Sequence, residues 1–143
     1  MNDFNLSKHF TFFELTDSKE HPELLEENRE IAQHYKDKLT RLCVSMLEPI
    51  RAKTKTRIYV SSGFRCLELN NDVNGSNNSQ HMKGEAADIY AAIPSYILFD
   101  TIQNMITDGL KWHQLIHYPN QNFVHTSLPS GYDDMQIMTD LKH

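Results

Sequence analysis

The chain has 143 residues, 39% hydrophobic and 10% aromatic, enough apolar content for one globular domain, and residues 1–143 are read as that single domain. A net charge of −5, with no Lys/Arg cluster interleaved with aromatics, excludes a chain built to neutralise nucleic-acid phosphates. Apolar runs such as Tyr96–Phe99 fall far short of the roughly 20 residues of a membrane span, and "MNDFNLSKHF" has no apolar signal core, so no membrane span and synthesis in the cytoplasm are expected.

In "HFTFFEL", Thr11 followed three residues later by Glu14 reads as a capping box ahead of a short helix, which Phe10, Phe12 and Phe13 would anchor. Pro22 suits the first turn of a long helix, in which Leu24, Asn28, Ile31, Tyr35, Leu39, Leu42, Met46 and Ile50 recur at steps of three and four. Acidic side chains at its start and basic ones further on suit the helix dipole, and this charge run reads as a solvated face. Cys43 and Cys66 are the only cysteines, with neither framework nor Cys-x-x-Cys spacing, and are expected to be free and buried.

"RAKTKT" reads as a turn, and "RIYVSS" as a short strand ending at Gly63, with Arg65 just beyond it. "LELNNDV" is expected to form a short helix and "NGSNNSQ" a loop, ordered by Asn70 and Asn71. "GEAADIY" follows as a second strand. Pro94 then opens a helix ending at Gly109, with Ile97, Thr101, Ile102, Met105 and Ile106 inward. "QLIHY" and "NFVHTSL" form a hairpin about "PNQ", with Trp112, His113 and Met138 as packing residues. The tail, residues 129–143, is open between an edge strand at "MQIM" and a surface segment. This order predicts an α+β fold, a small antiparallel sheet covered by helices on one side.

A catalytic zinc site takes three nitrogen or oxygen ligands and leaves one position for water, whose pKa the ion lowers. His81 at the end of the polar loop and Asp88 on the following strand can supply two, and His125 the third if its strand lies beside Asp88. Alternation puts Ala86 and Asp88 on one strand face and Glu85 on the other, so Glu85 is a poor base. On spacing alone, buried structural side chains explain the two histidines equally well. A structural metal site would need a fourth ligand, and none is suitably placed; iron or manganese also accept a His/His/Asp set.

"SGFRCLELN", then Ser79-x-His81-x-x-Gly84-x-Ala86-x-Asp88, then "QLIHYP" and "FVHTSL", resemble the zinc D-alanyl-D-alanine carboxypeptidases. These belong to the LAS metallopeptidases, with the vancomycin-resistance D,D-peptidases and the hedgehog signalling domain. "LSKHFTFFELTDS" and "VSMLEPIRAKTKTRIYVSSGFR" resemble the lead-in of their single-domain branch, often carried by phages and prophages. The resemblance spans about Leu6 to Leu128. It implies a hedgehog/D,D-peptidase-like fold, a peptidoglycan stem peptide as substrate, Zn2+ held by His81, Asp88 and His125, and Arg65 and Ser79 as substrate-binding residues. It also implies delivery to the cell wall by other means if the chain is phage-encoded.

An Arg65 guanidinium can bind a carboxylate bidentately; the plain alternative is a surface salt bridge to Glu68. The family places a carboxylate near the reacting water, where this chain has Asn122 or Tyr118, neither a base near neutral pH. His117 and Tyr118 alternate on their strand, so only one can face the metal. Tyr118 would donate to a developing oxyanion, leaving base work to His117, His113 or the zinc's own water. The absent carboxylate keeps a second reading open, a catalytically silent cell-wall-peptide-binding or phage structural module.

Overall fold

The computed structural model describes residues 1–143. Helix α1 (Phe12–Thr16) starts where expected, with the Thr11 side chain accepting from the Glu14 N–H, and Phe10 and Phe12 are buried. The long helix is a succession: a 3-10 turn (Pro22–Leu24), α2 (Leu25–Ala32), a 3-10 turn (Gln33–Tyr35), α3 (Lys36–Leu42), a π turn (Cys43–Leu47) and α4 (Glu48–Thr54). The π turn has a cause in the sequence. Pro49 has no N–H and its ring crowds the carbonyl four residues back, so the helix widens just before it. The run extends into the segment expected to be a turn, ending at Lys55 with φ 57.

Strand β1 (Ile58–Ser62) precedes α5 (Leu67–Asp72), and a 3-10 turn (Gln80–Lys83) leads into β2 (Ala86–Ala91). Helix α6 (Ser95–Asn104) is followed by β3 (Gln114–Tyr118), β4 (Phe123–Ser127) and β5 (Gln136–Thr139). The sheet has five strands in the order β1-β2-β4-β3-β5, antiparallel except for the β3–β5 pair. The class is therefore α+β, with one correction: the tail supplies a parallel edge strand. Met138 on that edge is 44% exposed and does not pack as expected.

Ala87, Ile89, Leu115 and Val124 point from the sheet into a cluster of 27 buried residues shared with α3, α4 and α6. The inward face of α6 differs from the expected one: Leu98, Phe99, Ile102 and Met105 are buried, while Ile97 and Ile106 are 39% and 53% exposed. Tyr96–Phe99 is apolar throughout, so two helical stripes compete, and the one with Leu98 and Phe99 reaches β3. Both cysteines are free and buried, and burial pushes the Cys43 thiol up to about 12. No helix is long and apolar enough to cross a membrane.

Gly63 fixes the exit from β1. A Cβ there would overlap the Leu15 carbonyl oxygen, which accepts the Phe64 N–H at 2.7 Å. Gly63→Ala is expected to cost about 2 kcal/mol, roughly 7 °C in melting temperature, by forcing α1 away from this turn. A thermal melt followed by circular dichroism checks this, and an unchanged melt would mean that α1 yields freely.

Candidate metal centre

The sheet face opposite the helices carries the metal-ligand candidates. β2 and β4 pair in the register Asp88↔His125, so these side chains stand next to each other on that face. His81 arrives from the turn before β2. Ser79 caps this turn by accepting the His81 N–H at 3.2 Å, and Gly84 closes it at φ 70, where a Cβ would press on Tyr35, Lys38 and Leu39.

One ligand atom each of His81, Asp88 and His125 lies within 4.8 Å of the other two. His81 Nε2 is 3.4 Å and His125 Nδ1 2.8 Å from Asp88 Oδ1. His81 Nδ1 lies 2.7 Å from the Gly63 carbonyl oxygen, which can only accept. The proton is therefore on Nδ1, and Nε2 presents its lone pair to the cluster. Burial pushes the His81 imidazole below its ordinary value, against the pull of Asp88, which favours the neutral, ligating form. Burial also opposes the charge on Asp88, but His81 and His125 outweigh it and hold the carboxyl far below the usual carboxylate range.

This donor set fits a zinc ion. Ligands about 2.0–2.2 Å from a tetrahedral ion stand roughly 3.3–3.6 Å apart, which the 3.4 Å between His81 and Asp88 matches. The shorter His125–Asp88 contact is a hydrogen bond, so taking up a cation releases its proton.

Arg65 is bound to the cluster, not to Glu68. Its Nη2 lies 3.3 Å from Asp88 Oδ2, and its Nε donates to Ser62 Oγ at 2.9 Å. Burial lowers the guanidinium's pKa, while Asp88 and Tyr118 raise it. Arg65 and Asp88 line a cleft of about 570 Å³, walled by residues 17–21 on one side and Gln121–Phe123 on another. Ser79 does not line this cleft; its hydroxyl serves the His81 backbone. Asn70 orders its loop as expected, donating to the Ser76 carbonyl at 2.9 Å.

Tyr118 and His117 part as alternation requires. Ile116 pairs with His125, which places Tyr118 on the cluster face and His117 on the helix face. His117 stacks on Phe99 and its Nε2 lies 2.8 Å from Ser95 Oγ, so it is turned away from the metal-ligand candidates and cannot act as their base. Burial, Asp88 and Asp140 raise the Tyr118 phenol's pKa, which keeps its proton available for donation. His113 is held by Asp134 at 3.0 Å, and Glu85 by Lys38 at 3.0 Å. Asn122 turns at φ 54 and accepts the Ser95 N–H at 3.0 Å.

Three supporting residues escaped the sequence reading. The Gly63 carbonyl selects the His81 tautomer, and Ser62 orients Arg65 after a register shift in β1. Asn28, buried, donates Nδ2 to the carbonyls of Thr16 and Phe64 and accepts the Cys66 N–H, clamping the segment that carries Arg65. One signal was visible for Asn28: a polar residue in an apolar helical row.

The family described as Peptidase M15 matches residues 9–127. No curated protein matches the chain.

Proposed function

The chain belongs to the Peptidase M15 family, a family of metallopeptidases, and from that premise we propose a zinc peptidase that hydrolyses peptidoglycan stem peptides. It would act as a D-alanyl-D-alanine carboxypeptidase or an L,D-endopeptidase. The observation that carries this reading is the approach of His81 Nε2 and His125 Nδ1 to Asp88 Oδ1, in a cluster whose Asp88 lines the cleft. Those three atoms would hold the ion. Bound there, zinc supplies Lewis acidity to a peptide carbonyl and to water.

The chain's own side chains do the rest. Arg65, fixed by Ser62 and Asp88, presents its guanidinium at the cleft floor, where it can anchor a peptide carboxylate or carbonyl. Tyr118, protonated on the cluster face, donates to oxygen as negative charge develops on it. Ser79 acts through His81 by holding its backbone.

The test is incubation of the purified, zinc-supplemented protein with a muropeptide ending in D-Ala-D-Ala, with released products identified by mass spectrometry. Hydrolysis is expected. Arg65→Lys should raise KM about tenfold, near 1.4 kcal/mol, because a lysine cannot make the forked contact. An unchanged KM in a variant with normal zinc content removes Arg65 from substrate binding.

A second reading, a catalytically silent module that binds cell-wall peptide in the same cleft, is favoured by one observation. At the position where a carboxylate is expected, Asn122 offers an amide tied to the start of α6. Muropeptide binding without turnover would establish that reading.

A further inference from the structure

Beside the metal-ligand candidates, the same sheet face carries a row of aromatic rings. Tyr59 on β1 pairs with Tyr90 on β2, and their rings stack at 5.1 Å and 17°. Tyr118 on β3 pairs with Phe123 on β4, with rings at 4.5 Å and 14°. Since β2 and β4 are neighbours, the two stacks are halves of one row broken between Tyr90 and Phe123. The row crosses four adjacent strands, roughly 14 Å at the usual strand spacing. The break opens on the cleft, which both Tyr90 and Phe123 line.

Aromatic rings normally bury their faces in a core, but on the helix side of this sheet the core positions next to this row are aliphatic, Ile89 and Val124. Tyr59 is instead 36% exposed, and Tyr90, Tyr118 and Phe123 are half-buried. The cleft that Tyr90 and Phe123 line is also lined by Ser61, Ser62, Gln121 and Asn122, which are polar but uncharged. Charged groups line the same cleft, Asp17, Lys19 and Glu20 together with Arg65 and Asp88, and the last two are paired with each other at 3.3 Å.

We propose that this break seats a pyranose ring of a glycan strand against Tyr90 and Phe123, so that the stem peptide is recognised while still attached to its sugar. The inference rests on the peptidase reading and names the form of its substrate. A pyranose has an apolar C–H face that packs on the electron-rich face of an aromatic ring. Its rim of hydroxyl and N-acetyl groups can meet the Gln121 amide and the capacity left on Asn122 Nδ2, Ser61 Oγ and Ser62 Oγ, whose other bonds run to Ser95, Asp88 and Arg65. A wholly apolar occupant would strip water from those groups without replacing their hydrogen bonds. A polyanion would meet Asp17, Glu20 and a chain of net charge −5.

The experiment is an NMR titration of the full chain with tri-N-acetylchitotriose, a glycan probe without peptide, following the Tyr90 and Phe123 rings. Saturable shifts at these rings are expected, with affinity falling about tenfold in Tyr90→Ala and Phe123→Ala and largely retained in Phe123→Trp. Melting curves and zinc content confirm that each variant is folded. No saturable shift, or binding indifferent to both alanine variants, overturns the proposal. A silent titration alongside intact stem-peptide cleavage sinks the sugar seat alone. Saturable sugar binding in a protein that cleaves no stem peptide upholds the seat and sinks the peptidase reading.

Discussion

Replacing His81 with alanine is expected to bring bound zinc to background and stem-peptide hydrolysis down on the order of 10³-fold, about 4 kcal/mol of transition-state stabilisation. His81 is the ligand candidate whose orientation is most tightly prepared. Its Nδ1 is committed to the Gly63 carbonyl, its N–H to Ser79, and its own carbonyl accepts the Arg65 N–H at 3.1 Å. Alanine keeps the backbone bonds and removes only the imidazole, so the loss reads the ligand and not the turn. His125→Ala, made in parallel, should behave alike, because it removes the Nδ1 that faces Asp88. Elemental analysis, a thermal melt and a cleavage assay on the same preparations check this. A folded His81→Ala protein that keeps its zinc and its rate would show that the ion, if any, sits elsewhere.

Asn28→Ala is expected to destabilise the fold by about 3–5 kcal/mol, since each buried polar group left without a partner costs about 1–3 kcal/mol. Three groups lose their partner: the carbonyls of Thr16 and Phe64, at 2.9 and 3.1 Å, and the Cys66 N–H, at 2.7 Å. That is a large share of the roughly 5–15 kcal/mol that holds a typical domain folded. Urea unfolding should show a lower midpoint with an unchanged slope. In conditions where the variant remains folded, zinc affinity should fall about 10–100-fold, as for other groups that orient a metal ligand indirectly. The path is short: Asn28 holds Phe64 and Cys66, and the flanking Gly63 and Arg65 both bond to His81. A loss below about 1 kcal/mol would mean that water replaces the clamp.

Much of the fold was legible because its signals are local. The Thr11 cap, the end of β1 at Ser62, α5 over Leu67–Asp72 and the hairpin of β3 and β4 follow from capping, turn chemistry and alternation within a few residues. Local signals were ambiguous where two patterns were equally regular. Tyr96–Phe99 offered two apolar stripes to α6, and only contact with the sheet chose Leu98 and Phe99 over Ile97. "RAKTKT" has no helix breaker of its own, so α4 runs on into it. The tail became β5 because β3 had a free edge, and its parallel direction depends on a chain reversal that no short pattern announces.

By itself, the sequence determined the types of the elements and the relations within each one. Asp88 and Tyr90 had to share a face, Glu85 had to leave it, and Tyr118 and His117 had to oppose each other, because a strand repeats every two residues. Tertiary structure decided everything that depends on register between strands. The pairing Ile116↔His125 turned Tyr118 to the cluster and His117 to Ser95, and Asp88↔His125 brought together ligand candidates separated by 37 positions. A shift of one residue in either pairing would have reversed the outcome that pairing sets while leaving every local propensity the same.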